Sequence, residues 1–181
     1  VCFFKYICKE RKDVTHVLRC NLSSFYNFPL LLDKLNTLKM SELVLSSKQS
    51  IRGICYPSGC GAVYSMDVIK KIGDYFQEDN YEVVRQGRRI ESDDVLVGVL
   101  LERFKIGIIH LSYINFQRLS REMSHIKDFV DGVKIKPSEK RKTEFKPWLD
   151  TLLKEKDRIH YRCSNPEFQY IFTKLIEKYY E

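Results

Sequence analysis

The sequence predicts an α/β layer architecture, with strands and helices alternating along the chain. Two observations carry the prediction. Short runs of branched and aromatic residues are bounded by polar ones, and apolar stripes at helical spacing fall between them. A third observation concerns size: 181 residues, 44% hydrophobic and 13% aromatic, suit one compact domain, 1–181, with its own core and no internal repeat.

Taken in order, Val1, Phe3, Phe4, Ile7 and Cys8 mark one face of a helix over Val1–Arg11, and Thr15–Cys20 reads as a strand. Asn21-Leu22-Ser23-Ser24 is a polar strand end of the kind that carries ligands. Pro29 sits in a first helical turn ahead of Leu30, Leu31, Leu32, Leu35 and Leu38. Leu43–Leu45 reads as a strand, Ser46–Ser50 as polar loop, Ile51–Pro57 as the approach to a glycine loop, and Ala62–Tyr64 as a brief strand. Asp67–Phe76 reads as a helix with Ser65 as its N-cap, while Gln77–Arg89 is left unassigned. Asp93–Phe104 is the clearest helix, with acids first and Arg103 and Lys105 last, as the helix dipole favours. Ile106–Leu111 reads as a buried strand. A basic connection over about 117–147 precedes a helical piece at Trp148–Leu153, a strand at Arg158–Cys163 and a last helix from Pro166.

Composition narrows the function. The net charge of +7 and pI near 9.0 are suited to nucleic acid, an anionic membrane surface or a phosphate-bearing ligand. The densest basic run, Lys134–Lys146, is diluted by Glu139 and Glu144 and also reads as a solvated loop. Six cysteines form no C-x-x-C pair and fit neither a zinc framework nor a disulfide-dense scaffold, so reduced thiols are expected. No apolar run approaches the roughly 20 residues that span a bilayer, and the start does not read as a signal peptide. The first residue is Val1 and not methionine, which leads to the expectation of a fragment.

Two stretches have the character of a site. One is Tyr56-Pro57-Ser58-Gly59-Cys60-Gly61, read as a tight loop whose glycines permit positive φ and close approach of backbone to a ligand. It lacks the third glycine of a dinucleotide fingerprint and the Gly-Lys-Ser/Thr of a phosphate loop. The other is Asp93-Asp94 at a helix start. Such acids serve the helix dipole, or divide their work, one bound and ionised, the other a proton acceptor. No Gly-x-Ser-x-Gly elbow occurs. His16, His110, His125 and His160 show no metal-ligand spacing among themselves.

The order Leu18-Arg19-Cys20-Asn21-Leu22-Ser23-Ser24-Phe25, then Tyr56–Gly61 through Ser65-Met66-Asp67-Val68, then Asp93-Asp94-Val95-Leu96-Val97-Gly98, resembles GT-A-fold glycosyltransferases. It is similar to the β-1,3-galactosyltransferase and fringe-like family and to reduced relatives encoded by large DNA viruses, over roughly residues 15–110. The resemblance implies a partial GT-A-like mixed sheet flanked by helices, forming the C-terminal, acceptor-side part of such an enzyme. It implies transfer of a sugar, with inversion, from a nucleotide diphosphate sugar to a glycan or protein hydroxyl. Asp94 matches the general base and Asp93 a helper in acceptor binding. Arg19, Asn21, Ser23, Ser58, Gly59, Gly61 and Arg162 match donor- and acceptor-binding positions. The family's acidic metal triplet is replaced by Asn21-Leu22-Ser23, so Mn²⁺ or Mg²⁺ is expected to bind weakly, through Asn21, Ser23 and a late histidine, His160 or less favourably His110. Arg19 would otherwise neutralise the leaving group. The resemblance is compatible with the Golgi lumen or the cytoplasm. Two rival expectations stand beside it: a degenerate relative kept as a binding module, and a basic nucleic-acid-binding protein using Lys134–Lys146, for which no basic-aromatic stripe is present.

Overall fold

The computed structural model describes residues 2–77, 92–115 and 159–162. The chain divides into two compact units, Val1–Asn21 with Leu32–Ser112, and Leu22–Leu31 with Tyr113–Glu181. The helices are α1 (Cys2–Glu10), α2 (Phe28–Asn36), α3 (Met66–Gln77) and α4 (Asp93–Arg103). The strands are β1 (His16–Cys20), β2 (Ser24–Tyr26), β3 (Val44–Ile51), β4 (Ile54–Ser65), β5 (Ile109–His110), β6 (Tyr113–Asn115) and β7 (His160–Arg162). The fold class is therefore mixed α/β, with mixed sheets and flanking helices. The basic run, the Trp148–Leu153 piece, the helix expected from Pro166 and the unassigned 78–89 stretch lie outside the described residues.

In the first unit a four-stranded sheet runs in the order β1-β4-β3-β5, antiparallel except for the β3–β5 pair. On one face Val17, Val44, Ala62 and Tyr64 join Phe4 of α1 and the apolar sides of α3 and α4 in one core. Phe4 meets Tyr64 edge-on at 5.4 Å, an arrangement favoured by the ring quadrupoles. Leu45 and Val63, which alternate with this set along β3 and β4, are also buried, so the central strands are covered on both faces.

Three elements differ in whole or in part from the expectations, each for a local reason. Ser46–Ser50 is not loop but part of β3, and Ile51–Pro57, expected to lead into a glycine loop, instead holds the end of β3, a two-residue turn at Arg52-Gly53 and the start of β4, with Ile51 opposite Ile54. Both turn residues have positive φ, 49° and 81°, as a tight hairpin of matching twist requires. Arginine is an unusual first residue for such a turn, so the hairpin signal was weak. Ile106–Leu111 is mostly not strand. Ile106 closes α4 instead, its N–H bonding Leu101 O at 2.8 Å while Lys105 N–H bonds Glu102 O at 3.0 Å. This is a Schellman closure with Lys105 at φ 58° in the place glycine usually takes. Finally, Ser65 stands in the N-cap place directly before α3 and bonds the Asp67 side chain of its first turn, but its hydroxyl is drawn to Leu43 as well, accepting from the N–H at 3.0 Å and donating to the carbonyl at 3.4 Å.

The second unit contains a sheet in the order β2-β7-β6, with β2–β7 antiparallel and β6–β7 parallel. His160 is fully buried in it. Its ring stacks on Tyr26 at 4.2 Å and lies 5.2 Å from Tyr113, and Nε2 is 3.3 Å from the Ser24 hydroxyl. Burial, helped by the charge of Arg162, pushes its pKa down to about 4. The folded imidazole is thus neutral where an unfolded one would take up a proton.

Two predictions follow from this packing. α4 meets β4 at Gly98, where an added Cβ would fall 2.5 Å from Cys55 O and 2.9 Å from Tyr56 Cα. Gly98→Ala is expected to cost about 1–3 kcal/mol in urea unfolding, because backbone must move. For His160 the unfolded state binds more protons than the native state between its folded and unfolded pKa values. Its contribution is therefore complete above about pH 6.5 and lost as pH falls toward 4, up to about 3 kcal/mol. Unfolding midpoints measured from pH 7 to pH 4 should fall more steeply for the parent chain than for His160→Phe.

Candidate functional site

The site is built on an irregularity in β4. Ser46 pairs with Ala62 and Lys48 with Pro57, so Ser47 alone stands opposite Ser58, Gly59, Cys60 and Gly61. The stretch expected to be a glycine loop is a bulge within a long strand. A bulge removes backbone groups from the ladder, and buried ones must find other partners. Ser46, fully buried, supplies them: its hydroxyl donates to Gly61 O at 2.8 Å and lies 3.1 Å from the Ser58 N–H that donates to it. The Ser58 hydroxyl accepts from Cys60 N–H at 3.3 Å and contacts Cys60 Sγ at 3.1 Å. Ser58 is therefore buried within the bulge's own hydrogen bonds.

On its other side β4 keeps its pairing with β1, with Arg19 opposite Ala62 and Cys20 opposite Gly61. The Asn21 N–H reaches Cys60 O at 3.4 Å, so Asn21 sits at the bulge through its backbone and is solvent-exposed. α4 then crosses this region. Ser92 caps it, its hydroxyl accepting from Val95 N–H at 3.4 Å, and this places Asp93 and Asp94 in the first turn. Asp94 and Gly98, four residues apart, lie on one helical face. Gly98 meets β4 at Tyr56, and Asp94 lies over Gly59, where an added Cβ would collide with Asp94 Oδ2.

The other oxygen of Asp94 is held by Arg19, with Nη1 at 2.5 Å from Oδ1. The side chains are 34% and 22% exposed, so this pair is half-buried, and its bond is stronger than that of a surface ion pair. Burial alone would lower the Arg19 pKa, but the Asp94 hydrogen bond and charge, assisted by Asp93, carry it upward. Asp93 makes no ion pair among the described residues. Beneath the pair the Tyr64 hydroxyl is buried. Its burial raises its pKa strongly, the Arg19 charge works against that rise and the Asp94 charge adds to it. Beside the pair opens a cleft of about 380 Å³, lined by Phe3, Phe4, Leu18, Arg19, Cys20, Asp93 and Val97.

Of the expected site residues, Arg19 and Gly59 both lie against Asp94, Asp93 lines the cleft with Arg19, and Ser58, Gly61 and Asn21 belong to the adjoining bulge and strand end. Ser23 immediately precedes β2 of the other unit, and Arg162 pairs with Ser24 in the β2–β7 ladder. His160 is enclosed by its tyrosines. For a metal, the donor chemistry does not fit: Asn21 and Ser23 bring neutral oxygens where Mg²⁺ or Mn²⁺ prefers carboxylates, and His160 is fully buried. Among the described residues no group of three or more His, Cys, Asp or Glu side chains is arranged to hold a metal ion. His110, exposed on β5, accepts from Lys48 N–H through Nδ1 at 3.2 Å. Among the described residues, too, no helix is long and apolar enough to cross a membrane.

Sequence reasoning missed Ser46, Tyr64 and the Phe3, Phe4 and Val97 walls. Ser46 had no signal of its own, since a serine in a polar run is indistinguishable from a loop residue. Tyr64 and Phe4 were visible only as core. No protein-family model matches the chain, and no curated protein matches it.

If Ser46 is what satisfies the bulge, Ser46→Ala leaves the Ser58 N–H and Gly61 carbonyl buried without that hydroxyl. The expected loss is about 1–3 kcal/mol, with faster amide hydrogen exchange at Ser58 as the specific sign. Unchanged stability and exchange would show that the bulge is satisfied by other groups.

Proposed function

We propose that the chain is the acceptor-side part of a GT-A-type glycosyltransferase, which transfers a sugar with inversion from a nucleotide diphosphate sugar to a hydroxyl acceptor. The observation that carries the reading is the convergence of Asp94 and Arg19 over Gly59 beside a cleft. Three motifs far apart in sequence contribute to it in the order the resemblance names.

In this reading each residue has a distinct task. Asp94 accepts the proton of the acceptor hydroxyl as that oxygen attacks the anomeric carbon. The bond from that carbon to the diphosphate oxygen breaks, and the nucleoside diphosphate leaves with the electron pair. Arg19 fixes the carboxylate by its Oδ1, so Oδ2, on the Gly59 side, is the oxygen left to take the proton. Gly59 keeps the space under Asp94 clear, and Asp93 contributes acceptor binding at the cleft. Asn21, Ser23 and His160 do not suit a divalent cation.

A second reading is favoured by the same ion pair. With Oδ1 held by Arg19 and, among the described residues, no acidic cluster to hold a cation against a diphosphate, the fold would serve as a sugar-binding module without turnover. One experiment separates the two. The full-length protein is incubated with a panel of nucleotide diphosphate sugars and mixed glycoside acceptors, with and without Mn²⁺, and products are read by mass spectrometry. The enzyme reading expects transfer that drops about 10²–10⁴-fold in Asp94→Asn, with an unchanged circular dichroism spectrum. Transfer unaffected by Asp94→Asn would remove Asp94 as base, and donor binding without any product would favour the module.

A further inference from the structure

The cleft beside Arg19 and Asp94 is mixed in its chemistry, and this has a consequence for the acceptor. Its lining combines two charged side chains, Arg19 and Asp93, with the apolar Phe3, Phe4, Leu18 and Val97. Phe4 and Val97 are core residues, 3% and 6% exposed, whereas Phe3 is 46% exposed although it is a phenylalanine on a helix whose neighbouring face is buried. A volume of about 380 Å³ lies within the range of small-molecule sites, whose usual design is an apolar enclosure with a few polar groups that fix orientation.

The charge around Arg19 is also informative. Arg19 is already matched by Asp94, and Asp93 adds a carboxylate without an ion-pair partner among the described residues. Among the described residues, Arg19, Asp93 and Asp94 together therefore carry one more negative charge than positive. This set suits a neutral group that donates hydrogen bonds, such as a sugar hydroxyl, better than an anion. The apolar lining suits a hydrocarbon body.

We propose that this cleft binds glycosides with an aryl or alkyl aglycone, the sugar hydroxyls at Asp93 and the aglycone against Phe3, Phe4 and Val97. The inference rests on the sugar-transfer reading for the identity of the polar half. The apolar wall holds independently of it. Acceptors would then be glycolipid-like or aryl glycosides, with the free sugar bound poorly.

The test compares p-nitrophenyl, octyl and methyl glycosides of glucose, galactose and N-acetylglucosamine by ligand-observed NMR titration of the full chain. Aryl and octyl glycosides of at least one sugar are expected to bind tenfold or more tightly than the methyl glycoside, as burial of a ring-sized apolar area implies. The advantage should fall below threefold in Phe3→Ala and persist in Phe3→Leu; Phe3 is exposed, so neither change threatens the fold. Equal affinity for all three glycosides, absence of binding by any, or an advantage indifferent to Phe3→Ala overturns the inference. The transfer assay keeps the two readings apart. Selective aglycone binding without transfer removes the enzyme reading and leaves the cleft assignment, while transfer with no aglycone preference does the reverse.

Discussion

The close approach of α4 to β4 is the constraint on which the first unit depends. A helix normally stands off a sheet by the length of its side chains, but here Gly98 has no side chain and the backbone at Cys55 and Tyr56 fills its place. One turn earlier along the helix, Asp94 uses the gap that Gly59 leaves in the strand. The two glycines act as a pair. One admits the helix to the sheet, and the other admits a carboxylate to the position that contact creates. The burial of Leu96, Val97, Gly98, Val99, Leu100 and Leu101 on nearly every side of α4 shows how fully the helix is enclosed.

The bulge in β4 is the second half of the same arrangement. A regular ladder would place a paired residue where Gly59 lies. Diverting four residues opposite Ser47 frees that segment from β3, and it also leaves polar backbone inside the protein. The Ser46 hydroxyl, both donor and acceptor, meets two of those needs at once. A buried network of this kind contributes less through its bond energies than through the cost of breaking it, so it fixes the shape of the bulge. The shape in turn fixes where Asp94 can sit, and β1, still paired along the far edge, brings Arg19 to it.

How much of this could be read from the sequence varied with the distance over which each feature is determined. The α4 helix, its acidic start and Gly98 were legible because caps, charges and a 3.6-residue period are local. So was the association of the Tyr56–Gly61 stretch with the acid pair, which came through a resemblance in motif order. The nature of the stretch was not. Gly59 and Gly61 signal a turn just as well as a bulge, and the pairing that distinguishes them involves Ser46, fifteen residues from Gly61. The Arg52-Gly53 hairpin and the Lys105 helix closure were hidden for one shared reason: each puts a long basic side chain at positive φ, where glycine or asparagine is the usual signal. His160 shows the opposite error. A histidine in a short strand invites a metal-ligand reading, and only the packing of Tyr26 and Tyr113 reveals a neutral, stacked core residue.

The ion pair sets a limit on what the site can do alone. Arg19 holds Asp94 through Nη1, and a diphosphate would compete with the carboxylate for its charge even though its other N–H donors remain available. If Arg19 stays with Asp94, the base is well positioned and the leaving group must be neutralised by groups other than Asn21 and Ser23, whose oxygens carry no positive charge. If Arg19 turns to the diphosphate, Asp94 is freed as donor arrives, and the pair acts as a latch that couples donor binding to base availability. The sugar-transfer proposal requires one of these two courses, and a binding module requires neither. A nucleoside diphosphate added to the protein would discriminate between them: it should disturb the Arg19 side-chain NMR signals in the second course and leave them unmoved in the first.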